Sequence, residues 1–301
     1  DGQADVLVFN AYGPPVLLLG RPGGVPPAPA GGSLGPLAGV GPAGLTVAEL
    51  EDGPALIVAQ NTFARNLRLD ASGQWEVKDQ YNTGRGSAQV QGAVALDADG
   101  DGRKEIVLLD RTSKSLLFLD HKEGVYRPSG ALSIGALDFQ GLHVADLDGD
   151  GRDDLLLAGT EKFGVVLTGR AGPRLKALAG YESIREEARL GDLAVGDLNA
   201  DGRADVVLTD TAQHFVEIVT CDAGRSDLTP GLAFKVFEQK SFRDVDDLVE
   251  PRDLAIGDVT GDGRADLVLI VHDRVLVYRQ DPGPDGPTAA RPEEPKAAAG
   301  R

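Results

Sequence analysis

The stretch AVALDADGDGRKEIVLLD, residues 93–110, returns three more times almost unchanged. The later copies are HVADLDGDGRDDLLLAG at 143–159, AVGDLNADGRADVVLTD at 194–210 and AIGDVTGDGRADLVLIV at 255–271. Two weaker copies precede them. VAELEDGPALIVA (residues 47–59) keeps the framing but has lost one residue and the last acid, and DGQADVLVF (residues 1–9) is the second half of a copy. The glycines that mark the phase are Gly2, Gly53, Gly102, Gly151, Gly202 and Gly263, so the steps are 51, 49, 49, 51 and 61 residues. A unit of about 50 residues has room for four short strands with their turns, whereas the helical repeats are shorter.

Each unit supplies the strands. After the Asp-rich loop comes a β-rich run at 106–109, 155–157, 206–208 or 267–271. A further strand follows at 115–119, 164–167, 215–219 or 274–278, and then a more polar outer strand such as 75–80 or 233–238. The runs before the loops (93–96, 142–145, 193–196, 254–257) are continuously apolar, as inner strands covered on both faces should be. The fold class expected is all-β: a β-propeller of six or seven four-stranded blades, with phases near 1, 47, 93, 143, 194 and 255, over residues 1–279. The loop lies between the first and second strands of each of four blades. One helical turn around Ser183–Leu190 is expected to decorate a loop.

The chemistry lies in the loop. In Asp97-x-Asp99-x-Asp101-Gly102-Arg103-x-Glu105 the acids at positions one, three, five and nine converge because Gly102 permits the sharp turn, and the carbonyl of Arg103 adds an oxygen. The same set recurs as Asp146, Asp148, Asp150, Arg152 and Asp154; as Asp197, Asn199, Asp201, Arg203 and Asp205; and as Asp258, Thr260, Asp262, Arg264 and Asp266. Hard oxygen ligands in that number suit Ca²⁺ better than Mg²⁺, which demands a stricter octahedron. About four structural Ca²⁺ ions are expected, with the four arginines serving through their backbone carbonyls and their side chains pointing outward. An EF-hand fails, because its twelfth position is Leu108, Leu157, Leu208 and Leu269, each inside an apparent strand.

The phrase DxDxDGRxD followed by a short apolar strand, repeated about every 50 residues, resembles the FG-GAP/VCBS repeats of the integrin-alpha-type β-propeller. The resemblance covers most of residues 1–279. It implies a ring of blades with Ca²⁺ in the loop between the first and second strands, a role in extracellular adhesion or assembly, and ligand contacts on the opposite face. Glu49, Glu51 and Asp52 do not make a complete site, so no metal is assigned to the first two units.

Composition narrows the function. Forty-seven Asp and Glu oppose 30 Lys and Arg, a formal charge of −17, and the basic residues form no stripe, which argues against a nucleic-acid partner. Fourteen of those acids sit in the four complete loops, and four Ca²⁺ ions would bring the charge to −9. The 40 glycines point to many tight turns. Cys221 stands alone, so no internal disulfide forms, and no apolar run approaches a membrane span. No hydrolase, zinc-protease or phosphate-loop motif occurs. Gly39-Val-Gly41-Pro-Ala-Gly44 matches a dinucleotide pattern only formally, since Pro42 lies within it and no strand closely precedes it. His121, His143, His214 and His272 share no spacing, and His143 reads as a core histidine.

The expectation is a non-enzymatic, Ca²⁺-stabilised module that binds protein partners in an exported, cell-surface or periplasmic assembly. Ca²⁺ modules of millimolar affinity make sense where Ca²⁺ is plentiful. A carbohydrate-binding propeller, with a glycan as ligand, is the alternative, and a polysaccharide lyase the third reading. The acidic insertion Ser241–Asp253 lengthens the last step, and its Asp244, Asp246, Asp247 and Glu250 are the partner-binding candidates. Residues 280–301 have the composition of a Pro/Ala/Gly-rich tail. Asp1 and Asp5 fall at positions five and nine of a first loop whose inner strand is absent, so upstream residues are expected to complete the ring.

Overall fold

The computed structural model describes residues 6–9, 15–20, 35–70, 74–135, 139–168, 177–183, 185–221, 228–238 and 249–280. Asp1, Asp5, Asp244, Asp246, Asp247 and the tail 281–301 lie outside them. The described residues are all-β apart from two single-turn 3-10 helices at Gly35–Leu37 and Pro42–Gly44. Six antiparallel sheets follow one another along the chain.

Sheet one pairs β1 (Val6–Val8) with β2 (Val16–Leu18). Sheet two is β3 (Leu45–Leu50), β4 (Gly53–Gln60), β5 (Phe63–Leu69) and β6 (Trp75–Asn82). Sheet three is β7 (Val90–Leu96), β8 (Glu105–Asp110), β9 (Ser115–Lys122) and β10 (Val125–Ser133). Sheet four is β11 (Phe139–Ala145), β12 (Asp154–Gly159), β13 (Lys162–Leu167) and β14 (Ala177–Glu182). Sheet five is β15 (Leu190–Gly196), β16 (Asp205–Asp210), β17 (Phe215–Cys221) and β18 (Leu228–Lys235). Sheet six is β19 (Asp253–Gly257), β20 (Asp266–Val271) and β21 (Arg274–Tyr278). Every sheet is a meander in chain order, so each loop between a first and a second strand leaves its sheet at the same end.

The cores lie between consecutive sheets. Successive side chains of a strand point to opposite faces, and the second strands use both. In β8, Ile106 and Leu108 join a core with β3–β5 of the sheet before, while Val107 and Leu109 join a core with β11–β13 of the sheet after. Leu155 and Leu157 against Leu156, then Val206 and Leu208 against Val207, repeat the division. At about 1.5–3 kcal/mol for each large aliphatic side chain fully buried, these shared layers dominate the stability. Gly196 of β15 belongs to the same packing: a Cβ there would meet Ile256 Cγ2 at 2.5 Å, so the glycine lets β19 approach.

Two expectations need correction. The second strands β8 and β16 are buried throughout. Among the first strands, β7 is buried at 93–96 as expected, but β15 and β19 are only partly covered, and residues of β3, β11 and β15 line a cavity of about 730 Å³. The helical turn at Ser183–Leu190 is instead a non-helical turn among its described residues. Contacts to the next sheet outcompete the helix there. Buried Asp210 accepts the Arg189 N–H at 3.1 Å, the Ser183 hydroxyl donates to Glu217 at 2.6 Å, and the Arg185 guanidinium lies 3.3 Å from the Phe215 ring centre.

Sheet six ends the series differently. Val107, Leu156, Val207 and Thr209 are fully buried on the face toward the following sheet, and Leu109 nearly so. On β20 the corresponding face carries Ile270 at 40% exposure, beside Val275 at 65% and Val277 at 46% on β21.

A candidate cation centre repeated at one end of four sheets

Each complete loop is a hairpin connection whose backbone donors converge on the acid at position one. Asp97 accepts the N–H groups of Gly100 at 2.7 Å and Gly102 at 3.0 Å. Asp146 accepts those of Gly149 (2.8 Å), Asp150 (3.1 Å) and Gly151 (2.8 Å); Asp258 accepts those of Gly261, Asp262 and Gly263. Asp197 accepts from Asp201 and Gly202. This folding back needs a left-handed residue at position six, and Gly102, Gly151, Gly202 and Gly263 have φ between +82° and +86°.

Position three turns on itself in the same way. Asp99, Asp148 and Asn199 each accept the N–H two residues on, at 3.0, 3.1 and 2.9 Å. Position five accepts the N–H of the arginine at position seven in all four loops, at 2.8–3.0 Å. Position nine opens the second strand and is buried: Glu105, Asp154, Asp205 and Asp266 are at most 5% exposed. Their carboxylates reach back to the N–H at position two, as Glu105 does to Ala98 at 2.7 Å and Asp154 to Leu147 at 3.0 Å.

The oxygens therefore gather. Asp97, Asp99 and Asp101 each offer an oxygen within 4.8 Å of the others, and so do Asp146, Asp148 and Asp154. Gathering unneutralised acids perturbs them. Burial, with neighbouring Asp99, Asp120 and Asp97, pushes the Glu105 carboxyl up to about 7, against the pull of the Ala98 N–H. Burial raises Asp154 and Asp205 to about 6, with the loop's other aspartates adding to it. A dication would remove the repulsion, and the donor set is all hard oxygen, so these residues fit Ca²⁺: positions one, three, five and nine by side chain and position seven by carbonyl.

Three of the four arginine side chains turn onto a loop rather than simply pointing outward. Arg103 returns to its own loop, its Nη2 donating to Asp101 Oδ2 at 2.6 Å, which holds that carboxyl below its usual range. Arg203 does the same to Asp201 at 2.6 Å, and Arg152 lies against the backbone of Gly100 in the loop before.

The second unit has a different solution. From β5, Arg68 donates to the Asp52 carbonyl and carboxylate and, at 3.0 Å, to the Gly53 carbonyl. A guanidinium thus stands where the shortened loop turns. Sequence spacing alone misses it, since Arg68 arrives through strand pairing 15 and 16 residues from its partners. Asp110 and Asp210 were also missed. Both lie 13 residues after position one, at the opposite sheet end, where they accept the N–H of Gln89 (2.9 Å) or Arg189 (3.1 Å) and of the following turn.

Of the partner-binding candidates, Glu250 is described and is fully buried. Its carboxylate accepts the His272 N–H at 2.7 Å and Arg252 Nε at 3.0 Å, so it faces inward rather than forming a displayed acidic edge. His143 lines the cavity among β3, β11 and β15, and burial pushes its imidazole pKa down.

The family model described as FG-GAP-like repeat matches residues 97–157 and 146–208, each match running from position one of one loop through the second strand of the next unit. No curated protein matches the chain. Repeat phase, loop geometry and these two adjacent matches agree that residues 97–208 carry FG-GAP-like repeats.

Proposed function

We propose that the sheets are blades of a propeller held by about four Ca²⁺ ions, and that the molecule is a non-enzymatic interaction or adhesion module of an exported, cell-surface or periplasmic assembly. The observation that carries this is the same folded-back loop, with backbone N–H groups converging on the acid at position one, at the same end of four consecutive sheets, and three carboxylates within 4.8 Å of one another in two of them. Each ion would clamp a first strand to a second strand at the point where the buried position-nine carboxylate enters the core. The opposite sheet end, built from turns such as 110–115 and 210–215, is then the face left to partners.

The titratable side chains lining the cavity are Glu49, Lys104, His143, Asp153 and Asp192, with neither Tyr nor Arg among the described lining residues. Trp75, the only tryptophan, packs beside Leu37, Val58 and Leu67 rather than standing on a loop to stack on a sugar.

Metal analysis of the purified protein after dialysis against Ca²⁺ is expected to return about four ions per chain, with a large fall in melting temperature on adding EDTA. An unchanged transition after complete metal removal would refute structural Ca²⁺. Crosslinking in a native preparation reads out the neighbours, and a glycan array that captures the chain would favour the carbohydrate reading instead.

A further inference from the structure

Position seven needs only a carbonyl to serve an ion, yet it is arginine in all four complete loops. Two of the side chains, Arg152 and Arg203, reach one unit back. A Cβ built on Gly100 would lie 2.5 and 2.7 Å from the terminal nitrogens of Arg152, so that guanidinium rests across the turn of the preceding loop. Arg203 repeats the arrangement with its stem: its Cγ and Cδ would lie 2.6 and 3.0 Å from a Cβ on Gly149, while its Nη2 holds Asp201. Gly100 and Gly149 occupy position four with φ of +79° and +72°, and each donates its N–H to the acid at position one. In the fifth-sheet loop position four is Ala200, at φ +60°, so a methyl stands where the two loops before it have a bare glycine.

We propose that Arg152 and Arg203 couple neighbouring cation sites, so that an ion in one loop strengthens binding in the loop before it, with the series broken at Ala200. The proposal rests on the reading of these loops as divalent-cation sites. An ion held by the carbonyl of Arg152 fixes that residue's backbone and settles the guanidinium over Gly100. The turn that presents its N–H groups to Asp97 is then already ordered, and has less conformational freedom to lose when its own ion arrives. Charge does not oppose this. Asp97, Asp99, Asp101 and Glu105 can carry four negative charges, which match the four positive ones of the ion, Arg152 and Arg103. At this solvent-facing site salt further screens the repulsion between the two cations.

Tb³⁺ luminescence provides the test. The Tyr126 hydroxyl lies 3.5 Å from the Lys104 carbonyl, so Tyr126 sensitises an ion in the third-sheet loop; a Tyr278→Phe background removes the tyrosine on β21, which pairs with the start of β20. Tb³⁺ is titrated into this parent, into the Asp148→Ala/Asp150→Ala variant, into Arg152→Gln and into the combination, with circular dichroism in EDTA confirming the fold of each. Disabling the fourth-sheet loop is expected to weaken Tyr126-sensitised binding about fivefold, Arg152→Gln to do the same, and the combination to add nothing. Equal affinities in all four proteins, additive losses, or tighter binding in Arg152→Gln would each overturn the coupling while leaving the cation sites standing. Absence of any Tyr126-sensitised signal from the folded parent would overturn the cation reading itself, and the coupling with it.

Discussion

Replacing Asp148 separates the ion's contribution from that of the loop. Its carboxylate accepts the Asp150 N–H at 3.1 Å, at a half-exposed position. Asn199 makes the equivalent bond to Asp201 at 2.9 Å in the next loop, so the backbone there accepts an amide without change. In EDTA, Asp148→Asn should cost under about 0.5 kcal/mol and Asp148→Ala about 0.5–1 kcal/mol, the ordinary net value of one hydrogen bond. With Ca²⁺ at 100 times its dissociation constant, a bound ion stabilises the folded chain by about 2.7 kcal/mol. Asp148→Ala removes an oxygen from that site, and its cost should rise toward about 3 kcal/mol. Asn keeps the oxygen and loses the charge, so it should fall between. At roughly 2–4 °C per kcal/mol for a domain of this size, the alanine variant should melt about 6–12 °C below wild type in Ca²⁺ and within a few degrees of it in EDTA. Calorimetry in both buffers, after metal is stripped with chelator, makes the comparison. An alanine penalty of the same size with and without Ca²⁺ would refute the reasoning, since the residue would then act only through its turn.

Arg68→Ala should lower stability by about 1–2 kcal/mol to the same extent in EDTA and in Ca²⁺, because the guanidinium, not an ion, closes the second unit's loop; urea denaturation in both buffers checks it. Gly196→Ala should destabilise by about 1–3 kcal/mol by driving a methyl into Ile256, with the largest loss of amide-exchange protection on β15 and β19. The raised carboxyl pKa values of Glu105, Asp154 and Asp205 make the folded, metal-free chain the stronger proton binder between about pH 4 and 7. Stability in EDTA should therefore fall as pH rises from 4 to 7. In Ca²⁺ the ion takes the proton's place, and the stabilisation it adds should grow over the same range. Melting curves at pH 5 and 7 that move together in the two buffers would contradict this.

The loops were legible because their requirements are local. Alternate oxygens, a left-handed glycine and a strand on either side leave little freedom, so positions 97–105 and their copies could be read from spacing alone. The strand after each loop was equally plain, as an apolar run covered from both sides. What spacing could not show was any contact carried by strand pairing or by the neighbouring unit. Arg68 meets Asp52 only through the register of β4 and β5, and Arg152 meets Gly100 only because two sheets stack. The turn at Ser183–Leu190 read as helix because its Glu and Arg content favours one, and nothing in that stretch announces the buried Asp210 that claims the Arg189 N–H. The first strands at 142–145 and 193–196 read as buried like 93–96 because apolar side chains suit the wall of a cavity as well as the inside of a sheet.

The placement of each core between sheets, with none inside a single sheet, bears on how such a chain is divided and lengthened. A segment running from one first strand to the next carries half of two hydrophobic layers and completes neither, so an isolated unit would expose the faces of β8, β12 or β16 that its neighbours now cover. Duplicating or deleting a whole unit, by contrast, removes one such layer and restores another of the same make. For this molecule the natural module is the seam between two sheets, and the number of sheets is free to change so long as every seam keeps both of its sides.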